Sequence, residues 1–125
     1  MRRGSSLLIV FLLVGCAPQP VGTPTSTSLS STADEAQTVL IRFFDLLNTK
    51  QYAEADEFYG GEYEQLQIFN PSSDPSDHAA LWSGSCEHAG LQCLKVRSAT
   101  FQTLQGDTYI FQVEFSNADG SLFVL

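Results

Sequence analysis

Basic residues are scarce in this chain, which carries six Lys and Arg against 14 Asp and Glu among its 125 residues, for a formal net charge of −8 at pH 7. Two of the six lie at positions 2 and 3, in a segment that we expect to be removed. The four that remain against 14 acidic groups give the processed chain a net charge of −10. Nucleic-acid binding depends on clustered Lys and Arg, which displace counterions from phosphates. We therefore predict no nucleic-acid partner, because the four form no cluster larger than a pair: Arg42, Lys50, Lys95 and Arg97.

Long apolar runs are also lacking. The run over residues 7–14 is eight residues long, whereas a helix that spans a bilayer needs about 20. It follows Arg2 and Arg3 and ends in small residues before Cys16, which is the pattern of an export signal. We predict that residues 1–15 are a cleaved signal peptide, and the remaining length allows one folded domain.

The segment Leu13-Val14-Gly15-Cys16 resembles the lipobox of bacterial lipoproteins. The resemblance implies cleavage before Cys16 and a diacylglyceryl group on its sulfur. Two or more acyl chains hold a protein stably on a membrane, since each buried methylene contributes about 0.8 kcal/mol. The expected location is the extracytoplasmic side of the cell membrane or the outer membrane, anchored by lipid. An ordinary secretory signal with a chance cysteine is the alternative.

Residues 17–33 contain four Thr, four Ser and three Pro, with no charged residue and no aromatic residue. Such a composition cannot form a core. We predict that residues 16–33, from the lipidated cysteine onward, are a disordered linker that spans roughly 20 to 25 Å. A glycosylated segment would have the same composition.

Helical periodicity begins after this linker. Thr32 and Glu35 fit a capping box, and six apolar residues then recur at the spacing of one helical stripe, which we expect to be buried. A second helix is predicted from Tyr52 to Tyr59, before Gly60. A third, capped by Asp74 or Ser76, is predicted over residues 78–85 with Leu81 and Trp82 as its apolar residues. The stripe consists of Ala36, Val39, Leu40, Phe43, Phe44 and Leu47.

Near the C-terminus the period of the apolar pattern changes to two, as in strands. A bulge near Ser98 would explain a change of phase in the first strand. Turns are predicted at residues 105–107 and 117–120. The pattern predicts an α+β fold in which N-terminal helices pack on the aromatic face of a curved antiparallel sheet. That face is expected to carry Tyr109, Phe111, Val113 and Phe115.

The run over residues 39–48, then Tyr52, Ala55, Phe58 and Tyr59 and the bulged strands resemble the nuclear transport factor two-like superfamily. The resemblance implies a cone-shaped domain over residues 34–125, a fold shared by ketosteroid isomerases and many non-enzymatic lipoprotein domains. The family has further long strands, whereas this sequence stops in an apolar run. We therefore expect a truncated domain or an exposed last strand.

Cysteines are few, and once Cys16 carries lipid the other two form an even pair. In an oxidising compartment we predict a disulfide between Cys86 and Cys93. A zinc site formed by these cysteines with His78 and His88 is the alternative, but their spacing matches no standard pair of ligands. No metal and no other cofactor is predicted.

Isomerase-like chemistry would need a carboxylate inside the cone. Glu114 falls on the opposite strand face, and capping or turn formation accounts for Asp74 and Asp77 beside His78. We assign no catalytic residue. The expected function is a non-catalytic accessory domain that binds a small ligand or a protein; an isomerase- or dehydratase-like enzyme with a pocket carboxylate is the alternative. Candidate ligand-binding walls are Tyr59, Trp82 and Tyr109.

Overall fold

A computed structural model describes residues 27–125, with side chains described from residue 32 onward. The helices precede one antiparallel hairpin, which is the predicted α+β class. The predicted signal peptide, Cys16 and most of the predicted linker lie outside the described residues. Among residues 27–125, no helix has both the length and the hydrophobicity that a membrane crossing requires. The elements are α1 (Thr27–Asn48), α2 (Tyr52–Asp56), α3 (Glu64–Phe69), α4 (His78–Glu87), β1 (Lys95–Gln105) and β2 (Thr108–Ser116).

Helix α1 begins at Thr27, upstream of the predicted capping box, so that Thr32 lies inside the helix. The predicted start was therefore wrong. No Pro or Gly occurs between Pro24 and Gly60, so no helix-breaking residue stops the helix at residue 32. Ala33 is buried, and one turn later the Gln37 amide donates to the carbonyl oxygen of Ala99 in β1.

The fully buried core lies where the C-terminal end of α1 meets the shorter helices. Of the predicted stripe only Leu47 is fully buried, and Val39 is 46% exposed. The expectation that the whole stripe is buried was wrong, because α2 and α4 cover only the last turns of α1. Leu81 and Trp82 are core residues, as predicted. The core cluster consists of Leu46, Leu47, Ala55, Leu66, Leu81 and Trp82.

The middle of the chain differs from the prediction in detail. Helix α2 ends at Asp56, earlier than expected, and α3 was not predicted. The N-cap of α4 is Asp77, whose carboxylate accepts from the Ala80 amide at 3.0 Å. Asp74 instead accepts from the amide and hydroxyl of Ser76, which forms the turn before the helix.

The hairpin contains two bulges. The register shifts between Val96 and Ser98, as predicted, and again between Phe101 and Thr103. The face of the hairpin that packs towards α1, its inner face, is less buried than expected, because Ala99 is the only strand residue that is buried. Both predicted turns form, with Gly106 and Gly120 at positive φ, but the second leads only to an isolated bridge from Ser116 to Leu122. The pairs on the inner face are Val96 with Phe115, Ala99 with Val113, Phe101 with Phe111, and Leu104 with Tyr109.

Candidate functional site

A groove of about 630 Å³ lies between the exposed half of the α1 stripe and the turn end of the hairpin. Its volume falls within the range of about 300–1,000 Å³ typical of small-molecule sites. Side chains that the helical spacing places on one face of α1 form one wall. The segment after α2 and the inner face of β2 form the others. The lining residues are Ala36, Val39, Leu40, Phe43, Phe44, Phe58, Tyr59, Asp107, Thr108, Tyr109 and Phe111.

Two of the three predicted ligand-binding residues meet in this groove. Tyr59 and Tyr109 come from different elements and both line it. The Tyr59 ring stacks on Phe43 at 6.0 Å between centroids, and its hydroxyl donates to the Glu62 carbonyl oxygen at 3.0 Å. These contacts fix the orientation of the ring.

Trp82, the third predicted residue, does not line the groove. It is 5% exposed and lies behind the wall, in edge-to-face contact with Tyr59 and Phe43 at 4.9 and 5.5 Å between centroids. Its indole N–H donates to Asp56 Oδ1 at 3.1 Å. Trp82 therefore supports the wall from the core.

Among the lining residues in the described part of the chain, Asp107 is the only Asp, Glu, Lys, Arg or His. It lies in the hairpin turn beside Gly106, whose φ of 59° suits a glycine. Its side chain is exposed at the rim of the groove, and no residue in the described part of the chain hydrogen-bonds or ion-pairs with its carboxylate. The sequence pattern identified this residue only as part of a turn.

A polar cluster that the sequence did not predict surrounds Asp56. Oδ1 accepts from the Tyr63 hydroxyl at 2.7 Å and from Trp82, while Oδ2 lies 3.0 Å from His78 Nδ1. The rings of His78 and Tyr63 stack at 3.7 Å. A carboxylate that orients an imidazole is a common acid–base arrangement, but no member of this cluster lines the groove.

Hydrogen bonding sets the protonation of the cluster. Partial burial raises the pKa of the Asp56 carboxyl, but the hydrogen bonds from Tyr63, His78 and Trp82 outweigh it, so the pKa lies below its usual value. Burial, followed by the bond to Asp56, raises the pKa of Tyr63 to about 12. Asp56 is thus held as an anion and Tyr63 as a neutral donor.

The predicted disulfide between Cys86 and Cys93 is confirmed, with 5.5 Å between the Cα atoms. It joins the end of α4 to the segment that enters β1. Because both sulfurs are in the disulfide, neither is a thiolate available to zinc, and His78 is paired with Asp56. Within the described residues, no three His, Cys, Asp or Glu side chains converge as metal ligands.

A second polar cluster adjoins the disulfide. Glu87 accepts from the Tyr52 hydroxyl at 2.9 Å and from Lys50 Nζ at 3.2 Å. The bond from Tyr52, followed by that from Lys50, lowers the pKa of Glu87. Burial, then the bond to Glu87, raises the pKa of Tyr52 to about 12. These exposed contacts tie α4 to the turn after α1.

Glu114 is exposed on the outer face of β2, where the Ser98 hydroxyl donates to it at 2.8 Å. This is the face away from the groove, as predicted.

No family model, curated protein or solved structure matches this chain. A fold alone does not specify a function, so the function is argued from the residues of the groove. The resemblances to bacterial lipoproteins and to nuclear transport factor two-like domains stay predictions from the sequence.

Proposed function

We propose that this chain is a lipid-anchored extracytoplasmic lipoprotein whose α+β domain binds a small ligand with an apolar body, without catalysis. The groove between α1 and the hairpin carries the proposal. It has the volume of a small-molecule site, and its walls are mainly apolar. Apolar side chains lie exposed in it, among them Val39 at 46% and Phe58 at 41%. A ligand that covers them removes this surface from water, which favours binding by about 25 cal/mol per Å² of apolar area.

The lipid anchor follows from the leader and the lipobox-like segment ending at Cys16. The segment between Cys16 and the start of α1 at Thr27 would be the linker that holds the domain away from the membrane. The disulfide supports this location, since disulfides persist mainly outside the reducing interior of the cell. The nuclear transport factor two-like resemblance fits the proposal too, because that superfamily includes non-enzymatic lipoprotein domains.

The groove favours binding over the alternative of an isomerase- or dehydratase-like enzyme. Such catalysis needs a carboxylate in a water-excluded pocket beside a polar partner. Within residues 32–125, Asp107 is the one carboxylate that lines the groove, and it is exposed at the rim. The partly buried pair of Asp56 and His78 lies outside the groove. Neither the Asp107 nor the Asp56 carboxylate is therefore placed for this chemistry.

Ligand binding is tested with 2-naphthylmethanol, a neutral aromatic alcohol, titrated into the purified chain by calorimetry. We expect saturable binding that Tyr109→Ala weakens at least fivefold, since this change removes one aromatic wall. Tyr52→Phe, outside the groove, is the control and should bind as the original chain does. Circular dichroism checks that both variants are folded. Equal binding by Tyr109→Ala and the original chain would refute the groove as the site.

The anchor is tested by expressing the chain in a bacterium with radiolabelled palmitate. We expect the label in the protein and the protein in the membrane fraction, with both lost in Cys16→Ser. The double variant Cys86→Ser and Cys93→Ser is the control and should keep the label. A Cys16→Ser chain that still carries palmitate would disprove attachment at Cys16.

A further inference from the structure

Aromatic rings dominate the groove. Six of the 11 described residues that line it are Phe or Tyr, contributed by α1, the segment after α2, and β2. The face of an aromatic ring carries partial negative charge, so rings around a cavity attract organic cations by cation–π interaction. The six residues are Phe43, Phe44, Phe58, Tyr59, Tyr109 and Phe111.

The formal charge at the groove is negative, like the partial charge on the faces of the aromatic rings. The Asp107 carboxylate lies at its rim, and none of the described residues that line the groove is a Lys or Arg. Two of the four Lys and Arg side chains of the described residues form ion pairs elsewhere: Lys50 pairs with Glu87 at 3.2 Å, and Arg42 lies 3.9 Å from Glu54. The excess of acidic over basic residues in the whole chain adds a negative potential that draws cations towards it.

We propose that the ligand of this groove is an organic cation, with an apolar body and one ammonium group. This inference rests on the proposed function and adds the charge of the ligand to it. The apolar body lies between Tyr59 and Tyr109, and the ammonium group lies at the rim against Asp107. The same charges disfavour an anion of the same shape, such as a carboxylate.

The position of Asp107 limits the size of the effect. An ammonium group at the rim stays partly hydrated, so it avoids most of the desolvation cost of a buried charge. An exposed ion pair together with a cation–π contact corresponds to a preference of roughly tenfold over a neutral ligand. The preference should decrease as added salt screens the carboxylate.

Three ligands of nearly equal shape test this inference by calorimetry on the full chain at low ionic strength: 2-naphthylmethylammonium, 2-naphthylmethanol and 2-naphthoate. We expect the cation to bind about tenfold more tightly than the alcohol and the anion to bind most weakly. Asp107→Asn should weaken cation binding about threefold to tenfold and change alcohol binding less than twofold. Asn suits the turn, so the variant should keep the fold.

Glu64→Gln is the matched control, because it removes an equal charge from the exposed start of α3, outside the groove. If Glu64→Gln weakens binding of the cation as much as Asp107→Asn does, the net charge of the chain explains the effect and the assignment to Asp107 is wrong. Equal affinity for cation and alcohol overturns the inference while the proposed function stands. If none of the three ligands binds, the proposed function fails as well. If the original chain is a dimer that Tyr109→Ala dissociates, the groove is the contact with a second copy of the chain. That result would overturn both the proposed function and this inference.

Discussion

At the scale of single residues, Asp56 has three polar side-chain partners, all of which follow it in the chain. Its side chain is 23% exposed, and its partners lie 7, 22 and 26 residues further along the chain. Nothing in the sequence indicated this cluster, because Glu54, Asp56 and Glu57 together resemble an ordinary solvated face. Long-range partners of a charged residue cannot be identified from the spacing of that residue alone.

The lowered pKa of Asp56 predicts an acid-sensitive contribution to stability. A carboxyl whose folded pKa is below its unfolded value of about 3.9 stabilises the fold above that value, and this stabilisation is lost as the pH falls through the folded pKa. Asp56→Asn cannot titrate. We expect it to lower the free energy of unfolding by about 1.5–3 kcal/mol at pH 6, because it weakens hydrogen bonds to a charged group. The difference from the original chain should shrink towards pH 3.

Urea unfolding from pH 3 to pH 6 measures this difference. Glu57→Gln, an exposed carboxyl one residue away, is the control and should stay within about 0.5 kcal/mol of the original chain. A constant gap between Asp56→Asn and the original chain across this range would mean that the ionised form of Asp56 is not what stabilises the domain.

At the scale of elements, the sequence predicted those with a long periodic pattern. The end of α1 at Asn48, the core residues of α4 and the alternation in β2 are as expected. Helix α3 was missed because Leu66 is the only one of its six residues that is buried, too few to define a period. In β1 the inward residues are spaced three, two and three apart, which only the two bulges explain.

A close approach between α3 and α4 predicts that Gly84→Ala destabilises the domain. The Asn70 Nδ2 lies within hydrogen-bond distance of the Leu66 carbonyl at 2.7 Å and the Ser85 hydroxyl at 2.8 Å. Its Oδ1 occupies the space that a Cβ at Gly84 would take. Alanine favours an open helix by about 1 kcal/mol over glycine, but here we expect a net loss of about 1–3 kcal/mol from overpacking.

Thermal unfolding measures the effect of Gly84→Ala. The second variant, Asn70→Ala with Gly84→Ala, separates the causes, because removing the amide removes the clash and the two changes should not add. A single Gly84→Ala variant that melts at a higher temperature than the original chain would contradict the prediction.

Breaking the disulfide is a second change at this scale that should destabilise the domain. Closing a loop of this length, with a sequence separation of 7, stabilises a domain by about 2.5 kcal/mol on the chain-entropy model. We expect a reducing agent to lower the free energy of unfolding by about this amount. The double variant Cys86→Ala and Cys93→Ala should be less stable and insensitive to the agent. Equal stability with and without reduction of the original chain would show that the crosslink does not stabilise it.

At the scale of the whole molecule, packing is uneven: a small core lies among the helices, and a groove stays open beside the hairpin. The sequence predicted Tyr59, Trp82 and Tyr109 as ligand-binding walls, and of these Tyr59 and Tyr109 line the groove. It did not predict that the first half of the α1 stripe is only partly covered there, with Val39 exposed. Periodicity shows which face of an element is apolar, but not how much of that face the other elements cover.

The net charge of −8 predicts how the stability of the whole chain depends on salt. Repulsion among 14 carboxylates destabilises the compact state, and the pairs of Arg42 with Glu54 and Lys50 with Glu87 are exposed and contribute little. Raising NaCl from about 0.01 to 0.15 M shortens the screening length from about 30 to 8 Å. We therefore expect the melting temperature to rise by a few degrees.

Calorimetric scans at the two salt concentrations measure this rise. In the variant with Glu57→Lys and Glu64→Lys, two exposed acidic residues become basic, so repulsion is weaker and salt should raise the melting temperature less. Stability that falls as salt is added would mean that attraction within ion pairs outweighs the repulsion. The negative potential that we invoke to attract a cationic ligand is the same one that these scans detect, because both arise from the excess of carboxylates.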